Sequence, residues 1–453
     1  MSKSELEVQV ASEQLNKVCS RVNVSDNLLT FQEVQHIVKS SCGGEAKVQK
    51  FSLEPYSNKQ LGFQGSHKRL TVEIETKNGK RTLSFFAKSI PYDIPLQTEY
   101  MIEKCVFDKE RIFYRDIIPE LRRQYKCEPW VSTCYLIKDN LLVFDDLGAK
   151  GYAMKNKLFT KELTVSGLTT IARMHASSLL AEARLGKTFK EMYPHAFVES
   201  SFCHTGKLRR WFDVGIETIV AVAEHLGLDA SLIPTTCKEV YHAVEMSPTK
   251  HNVVSHGDLW GNNLMFSNDI PPKCLLVDFQ LLRYSPLAHD VAQFLYLCTD
   301  RSFREASEET MLKHYYSVLR ETLNSMNSIS VEVPSWSELV QGMEEQRLGA
   351  LITAAIYYQT VLMDEDLSAQ IMNEADRFID YVFQNRKNIV LKAMKNDPVY
   401  SKRLGDTVAE LVELSFRLEE LPKPTHLHSR PLTPLHHSSS RPYEKRNYKL
   451  ADS

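Results

Sequence analysis

One polar loop held between two apolar runs constrains this chain more than any other feature. Residues 255–263 read Ser-His-Gly-Asp-Leu-Trp-Gly-Asn-Asn, with Val-Val before them and Leu-Met-Phe after them. Further along, Asp278 directly follows the apolar run Cys-Leu-Leu-Val at 274–277. A carboxylate at the end of a buried strand is expensive unless it binds a cation. The pattern therefore predicts a polar site fixed between buried strands.

The spacing within this region matches the needs of phosphoryl transfer. In kinases, an Asp accepts or orients the proton of the acceptor hydroxyl, an Asn five positions later binds Mg²⁺, and a second Asp bridges metal and phosphates. Asp258 would then be the catalytic base, and Asn263 and Asp278 would be the metal ligands. His256, two residues before the base, belongs to the same catalytic loop, where we expect it to brace the backbone.

A hydrolytic metal site is the alternative interpretation of the same residues. His256, Asp258, Asp278, His289 and Asp290 are all potential metal ligands. This interpretation gives no role to the Asn at position 263 or to the strand-rich region that precedes the loop. Phosphoryl transfer is therefore favoured.

A kinase also needs a strand lysine for the α- and β-phosphates and a helix glutamate that holds this lysine. Lys88 ends the apolar strand pattern Leu-Ser-Phe-Phe-Ala-Lys at 83–88. In the following helical segment, Glu110 shares an apolar stripe with Val106, Phe113 and Ile117. A carboxylate in such a stripe needs a cationic partner, so we predict a Lys88–Glu110 ion pair. The alternative is a boundary glutamate that reaches water.

Two further segments are candidates for nucleotide binding. At Leu142–Gly148 the backbone around Asp145, Asp146 and Leu147 is expected to bind an adenine edge. The segment 57–66 contains Gly62, Gly65 and Ser66, whose backbone amides are expected to approach phosphate. Neither Gly-x-Gly-x-x-Gly nor a Walker sequence is found in this segment, so a plain turn is the alternative.

Periodicity divides the chain into four parts. Residues 1–44 are predicted to be a helical extension that ends at Gly43-Gly44. Residues 45–147 carry alternating strand patterns and an Asn-Gly hairpin signal, and they predict an antiparallel, β-rich N-lobe with one long helix from about 97 to 125. Residues 148–420 predict a large, mainly helical C-lobe. Residues 421–453 are rich in Pro, His and Ser, which predicts a disordered tail.

The catalytic block resembles a known family. The string His256-Gly-Asp-Leu-Trp-Gly-Asn-Asn-Leu264 and the string Val277-Asp-Phe-Gln-Leu-Leu-Arg-Tyr-Ser-Pro-Leu-Ala-His-Asp290 resemble the insect ecdysteroid kinase-like (CHK kinase-like) family. This family is part of the aminoglycoside phosphotransferase and choline kinase branch of the protein-kinase-like fold. The resemblance implies an α+β, bilobal protein-kinase-like fold, ATP and Mg²⁺ as cofactors, and a hydroxyl acceptor on a steroid-like or xenobiotic molecule. It also implies a structural role for Asp290.

Two other functions stay open on the sequence alone. One is a kinase for choline, ethanolamine or a similar amine, which would need an aromatic or acidic cage for the ammonium group. The other is a pseudokinase that binds a ligand or partner without transfer, which the unusual phosphate loop favours. The intact lysine, glutamate, aspartates and asparagine argue against it.

Composition excludes several classes of partner. Lys and Arg number 55 and Asp and Glu number 57, so the net charge of −2 gives no case for nucleic-acid binding. The most apolar run, 348–363, is shorter than the ~20 residues of a membrane span. Nine cysteines without a Cys-x-x-Cys pair, and a polar N-terminus without a signal-peptide core, predict a cytoplasmic protein. The oligomeric state is not predicted.

Overall fold

The computed structural model describes residues 28–57, 65–92, 95–123, 125–325 and 330–422. The N-terminal part is rich in strands, which are β1 (Lys47–Pro55), β2 (Ser66–Thr76), β3 (Gly79–Ser89), β4 (Cys134–Ile137) and β5 (Leu141–Asp145). They form one sheet in the order β1-β2-β3-β5-β4. β3 and β5 are antiparallel, with Lys88 opposite Leu142 and Phe85 opposite Asp145. The predicted antiparallel, β-rich region is confirmed.

Helices before and within this region are α1 (Phe31–Cys42), α2 (Pro95–Glu103), α3 (Val106–Ile112), a π-helical turn (Phe113–Ile117) and α4 (Ile118–Arg122). The predicted helix from about 97 to 125 is therefore interrupted. The interruption lies at Lys104 and Cys105, where Cys105 adopts the left-handed region with a φ of 53°. Periodicity did not predict this break, because no glycine or proline marks it.

The C-terminal part is mainly helical. Its longer helices are α5 (Lys161–Leu185), α7 (Gly206–His225), α10 (Leu287–Cys298), α11 (Arg301–Asn324), α12 (Trp336–Val361), α13 (Glu365–Asn373), α15 (Arg386–Asn396) and α16 (Pro398–Ser415). Shorter ones are α6 (Phe189–Met192), α8 (Ile233–Thr236), α9 (Val240–Ala243) and α14 (Ala375–Ile379). Short 3₁₀ or π turns cover Pro194–Phe197, Cys237–Glu239, Gly261–Asn263, Asp380–Gln384 and Leu418–Glu420. α10 packs on α12, and α11 packs on α5.

Four short strands interrupt these helices and hold the catalytic loop. They are β6 (Asn252–Ser255), β7 (Leu264–Phe266), β8 (Cys274–Leu276) and β9 (Arg283–Pro286). β6 pairs with β9 and β7 pairs with β8, both antiparallel. Residues 256–263 thus leave one two-stranded sheet and enter another, so both ends of the loop are fixed by buried backbone.

The chain divides into two compact units. In the first, which comprises residues up to Phe51 together with Val72–Leu83, Thr30 and Glu33 form a capping box at the start of α1. The second comprises Ser52–Thr71 and the chain from Ser84 onward. Every predicted site residue that the structure describes belongs to the second unit.

Some predictions fall outside the described residues. Residues 1–27 of the predicted N-terminal extension and residues 423–453 of the predicted tail are among them. Within the described ranges, no helix is long and apolar enough to cross a membrane.

Candidate active site

A buried lysine with two carboxylates forms the centre of the site. The Lys88 ammonium on β3 donates to Glu110 Oε2 and to Asp278 Oδ1, both at 2.6 Å. The side chains of Lys88 and Glu110 are only 4% and 1% exposed. The other Glu110 oxygen accepts the backbone N–H of Phe279 at 3.2 Å. Glu110 is therefore tied both to the strand lysine and to the segment that carries Asp278.

The charge state of this lysine follows from its neighbours. Burial disfavours the ammonium form, but the charges of Asp278 and Glu110 outweigh it and raise the pKa of Lys88 above its usual value. Lys88 is thus a fixed positive charge at neutral pH. Asp278, in turn, has a φ of 66°, which is rare for a residue with a side chain. Such local strain is typical of functional positions that their surroundings hold in place.

The catalytic loop is held by buried polar contacts. Asp290 at the start of α10 accepts the backbone N–H of His256 at 2.7 Å and that of Gly257 at 3.0 Å. His175 on α5 contacts the same carboxylate at 3.2 Å. Despite burial, the His175 hydrogen bond helps to hold the pKa of Asp290 at about 2. The structural role that the resemblance implies for Asp290 agrees with this geometry.

Gly257 in the loop leaves no room for a side chain. Its φ is +76°, and a Cβ there would lie 2.1 Å from the carbonyl oxygen of Leu281. Its own carbonyl accepts hydrogen bonds from Arg283 at 2.7 Å and from Gln293 at 3.1 Å. A side chain at this position would push the loop away from β9.

His256 uses both ring nitrogens within the loop. Its Nε2 lies 2.9 Å from the Val277 carbonyl oxygen, and its Nδ1 accepts the backbone N–H of Asp258 at 3.2 Å. Burial lowers the pKa of His256, which favours the neutral ring that these contacts need. The ring also packs on Phe279. His256 therefore links the segment of Asp258 to the segment of Asp278.

Asp258 and Asn263 meet as the spacing predicts. The Asn263 side-chain N–H donates to Asp258 Oδ2 and to the Asp258 carbonyl, both at 2.8 Å. Burial, together with the negative charge of Asp278, raises the pKa of Asp258 to about 7. A base with a pKa near the working pH is well suited to general base catalysis. Asp258 Oδ1 accepts no hydrogen bond from any described residue.

These residues border a cavity of about 730 Å³. Its volume is in the range of small-molecule sites. Lys88, Glu110, Asp258, Asn263 and Asp278 all line it. The predicted kinase residues therefore share one cavity, although they come from segments far apart in the chain.

The predicted nucleotide segments have different outcomes. Asp145 and Leu147 line the cavity, and Asp145 is bound by Lys150 at 2.7 Å. A Cβ at Gly65 would lie 3.4 Å from Lys88 Cε, so the backbone approaches the lysine closely there. Ser66 begins β2, and Gly62 lies outside the described residues. Binding of adenine and phosphate by these segments stays a prediction.

Aromatic residues line the cavity as well. Two pairs of them are in ring contact, with centroids 6.1 Å apart for Tyr100 and Phe378 and 6.4 Å apart for Trp211 and Tyr357. Tyr381 also lines the cavity. We call Tyr100, Trp211, Tyr357, Phe378 and Tyr381 the aromatic cluster. Tyr358, the neighbour of Tyr357, is buried and donates to the Tyr296 carbonyl.

Lys104 is a lining residue that sequence reasoning missed. Its ammonium lies 5.3 Å from the Tyr100 ring centroid and 5.9 Å from that of Trp211. Burial lowers the pKa of Lys104 to about 8, with Asp258 and Glu199 acting in the opposite direction. The available signal was a lysine four residues after Tyr100 and three before Phe107, which an uninterrupted helix would place on one apolar stripe.

The hydrolase interpretation finds no support in this geometry. In the described part of the chain, no three His, Cys, Asp or Glu side chains lie close enough together to hold a metal ion. Asp290 binds backbone amides of the loop, and His256 binds the backbone as well. The five candidate ligands of a hydrolytic metal site therefore do not come together.

Magnesium, by contrast, fits two of the predicted residues. Mg²⁺ prefers a few oxygen ligands from the protein and takes others from phosphates and water. Asp278 contributes a carboxylate to the cavity. Asn263 directs its amide nitrogen at Asp258, so the amide oxygen is the atom available to a cation.

Comparison with known sequences identifies the family. The sequence model of the ecdysteroid kinase-like family matches residues 62–328, more than half of the chain. The chain belongs to this family. The family resemblance and the α+β, kinase-like fold predicted from the sequence are thereby confirmed. The chain is a kinase-like phosphotransferase that acts on an alcohol group. A search of curated protein sequences finds no match.

Solved structures similar to this ecdysteroid kinase-like protein include three small-molecule kinases. The Plasmodium vivax ethanolamine kinase is 14% identical, with 89% of this chain and 96% of that chain covered and a TM-score of 0.40. A microcompartment-associated aminopropanol kinase is 13% identical, with 92% and 99% covered and a TM-score of 0.38. A choline/ethanolamine kinase family protein from Mesorhizobium loti is 9% identical, with 79% and 92% covered and a TM-score of 0.33.

Proposed function

We propose that this protein transfers the γ-phosphate of ATP to a hydroxyl group of a steroid-like or xenobiotic molecule. The observation that carries the proposal is that Lys88, Glu110, Asp258, Asn263 and Asp278 line one cavity. Lys88 there binds Glu110 and Asp278, and Asn263 binds Asp258. Each of these residues has a partner that its proposed role requires. A pseudokinase would have no need to keep all five.

These residues have separate roles in phosphoryl transfer. Lys88, charged and held by Glu110, binds the nucleotide phosphates. Asp278 and Asn263 would hold Mg²⁺, which supplies positive charge at the transferred phosphoryl group. Catalysis of this kind depends mainly on positioning and on electrostatic stabilisation. The buried contacts of Lys88 and Asn263 provide that positioning.

Asp258 accepts the proton of the attacking hydroxyl. One of its carboxylate oxygens is bound by Asn263 at 2.8 Å, which leaves the other for the substrate. With a pKa of about 7, Asp258 is in part deprotonated at neutral pH and gains a proton readily. His256 does not take part in proton transfer in this scheme, because both ring nitrogens contact backbone groups. It is a positioning residue.

The aromatic cluster supports an apolar acceptor. Its rings offer flat apolar surface beside Asp258, as a fused-ring or aromatic substrate requires. The family name points to ecdysteroids, and no residue of the cavity by itself selects them over other hydroxylated ring systems.

The direct test is a transfer assay with purified full-length protein, ATP and Mg²⁺. A panel of ecdysteroids, other hydroxylated steroids, plant phenols, choline and ethanolamine is followed by mass spectrometry for a phosphorylated product. We expect transfer to at least one neutral ring compound. No product from any acceptor, together with no measurable ATP binding, would favour the pseudokinase.

A further inference from the structure

We infer that Lys104 selects the acceptor, by donating a hydrogen bond to an oxygen atom of an uncharged or anionic substrate and by excluding cationic amines. The inference rests on the proposed kinase function and adds the charge class of the substrate. It begins with three buried lysines of the same region, Lys88, Lys104 and Lys109, whose exposed fractions are 3%, 5% and 1%.

Two of these lysines are occupied by the protein itself. Lys88 binds the carboxylates of Glu110 and Asp278. Lys109 donates to the Val198 carbonyl at 2.9 Å and to Ser200 Oγ at 3.1 Å. For the Lys104 ammonium, no hydrogen bond or ion pair is found among the residues that the structure describes. A buried ammonium without such a partner is costly, and Lys104 lines the cavity, so a ligand can supply the missing acceptor.

The rest of the wall makes the same surface unfavourable for a cation. Arg386 lines the cavity, and its guanidinium lies 5.8 Å from the Trp211 ring and 5.2 Å from the Tyr381 ring. It donates to the carbonyls of Tyr381 and Val382 and to the Gln359 side-chain oxygen, so these contacts leave its charge without a carboxylate partner. Lys104 and Arg386 thus place two positive charges along the aromatic cluster.

Three of the five rings of the aromatic cluster already contact these cations. A quaternary ammonium is held within about 6 Å of the centroids of aromatic rings. Tyr100 and Trp211 are at that distance from Lys104, and Tyr381 and Trp211 are at that distance from Arg386. A further positive charge there would be repelled rather than caged.

Carboxylates that might compensate are engaged elsewhere or lie at the rim. Of the acidic residues that line the cavity, Glu110 and Asp278 bind Lys88, and Asp145 binds Lys150. Glu365 is exposed. Asp258 is left, and its proposed role is to face the acceptor hydroxyl.

The test combines equilibrium binding with kinetics on the full-length chain. Ecdysone, which is uncharged and rich in hydroxyl and ketone oxygens, and choline are titrated by calorimetry into wild type, Lys104→Met, Lys104→Arg and Lys402→Met. Lys402 is a control for the loss of one lysine, because its side chain is 77% exposed. Steady-state kinetics with ATP and ecdysone are measured on the same four proteins.

We expect Lys104→Met to weaken ecdysone binding and to raise the KM for ecdysone by about tenfold to a hundredfold, the effect of losing one hydrogen bond to a charged group. The KM for ATP should stay unchanged, Lys104→Arg should restore most of the affinity, and Lys402→Met should match wild type. Choline should bind wild type more weakly than ecdysone by at least tenfold.

Three results would overturn the inference. They are unchanged ecdysone affinity in Lys104→Met, a fall in kcat without a change in the KM for ecdysone, and choline binding as tight as that of ecdysone. Failure of the kinase function is distinguishable, since binding is measured without turnover. Ecdysone binding that depends on Lys104, without any phosphorylated product, would support the inference and refute the proposed activity.

Discussion

Replacement of Lys88 by Met should destabilise the protein strongly, and this loss should be reversible by a second change at Glu110. In wild type, the ammonium lies 2.6 Å from each of two carboxylates, and Glu110 is 1% exposed. Removing one partner of a buried ion pair typically costs about 3–5 kcal/mol, because the other charge is left buried and unpaired. The Lys88→Met variant should therefore lose about that much stability at pH 8.

The second variant, Lys88→Met with Glu110→Gln, removes the more deeply buried of the two carboxylate charges that lose their partner. Its destabilisation should be smaller than that of Lys88→Met alone, which makes the two changes strongly non-additive. The deficit of Lys88→Met should also depend on pH. Without its lysine, Glu110 has a folded pKa raised above the unfolded value near 4.3, so stability is retained below that pH and lost as the pH rises.

The assay is urea denaturation at pH 5 and pH 8 for wild type, both single variants and the double variant, followed by circular dichroism. ATP binding is measured on the same proteins and should be lost in both variants that lack Lys88. A Lys88→Met deficit below about 1 kcal/mol at pH 8, or strictly additive effects in the double variant, would refute the reasoning about the buried pair.

Three further predictions concern the catalytic loop. First, kcat/KM should fall as the pH drops below about 7, because Asp258 must be deprotonated to act as the base; a profile that stays flat from pH 5.5 to pH 8.5 would contradict this assignment. Second, Gly257→Ala should abolish activity and lower the unfolding midpoint much more than Gly151→Ala, since φ is positive at both positions but only the first Cβ meets a backbone oxygen, at 2.1 Å; similar midpoints for the two variants would contradict the steric argument. Third, because its pKa of about 2 lies below the unfolded value, Asp290 contributes stability above about pH 4 that is lost as the pH falls towards 2, and Asp290→Asn should flatten that dependence in acid unfolding curves.

The parts of the site that the sequence predicted are those with a fixed local spacing. Asp258 and Asn263 are five residues apart in one loop, and Asp278 directly follows a strand, so their chemistry is visible in a short window. Lys88 and Glu110 were predicted from a different argument. Each is a charged residue in an apolar pattern, and a buried charge requires a partner of opposite charge.

The cavity residues proposed to contact the acceptor could not be predicted by the same reasoning. Lys104 lies at a helix interruption where Cys105 is left-handed, and no local residue preference marks such a position. Trp211 and Tyr381 reach the cavity from helical segments more than a hundred residues from Lys104. Periodicity identifies such residues as buried, but a buried core position and a cavity wall give the same pattern. Only the fold separates the two.

Sequence reasoning also predicted only some of the contacts that hold the catalytic loop. Its anchoring by Asp290 was expected from resemblance, whereas the hydrogen bond between Arg283 and the Gly257 carbonyl, at 2.7 Å, was not. That bond depends on the antiparallel pairing of β6 with β9, in which Ser255 lies opposite Arg283. The register of short strands is set by tertiary packing, so a local pattern does not contain it.

The most direct test of the central claim is a comparison of wild type with Asp258→Asn under saturating ATP, Mg²⁺ and the best neutral acceptor. Asparagine keeps the size of the side chain and removes its ability to accept the proton. The account predicts that phosphate transfer falls by a factor of about a hundred or more, while ATP affinity stays within about threefold of wild type. Transfer at the wild-type rate by Asp258→Asn would contradict the account, because the residue that it places at the reacting hydroxyl would then have no part in the chemistry.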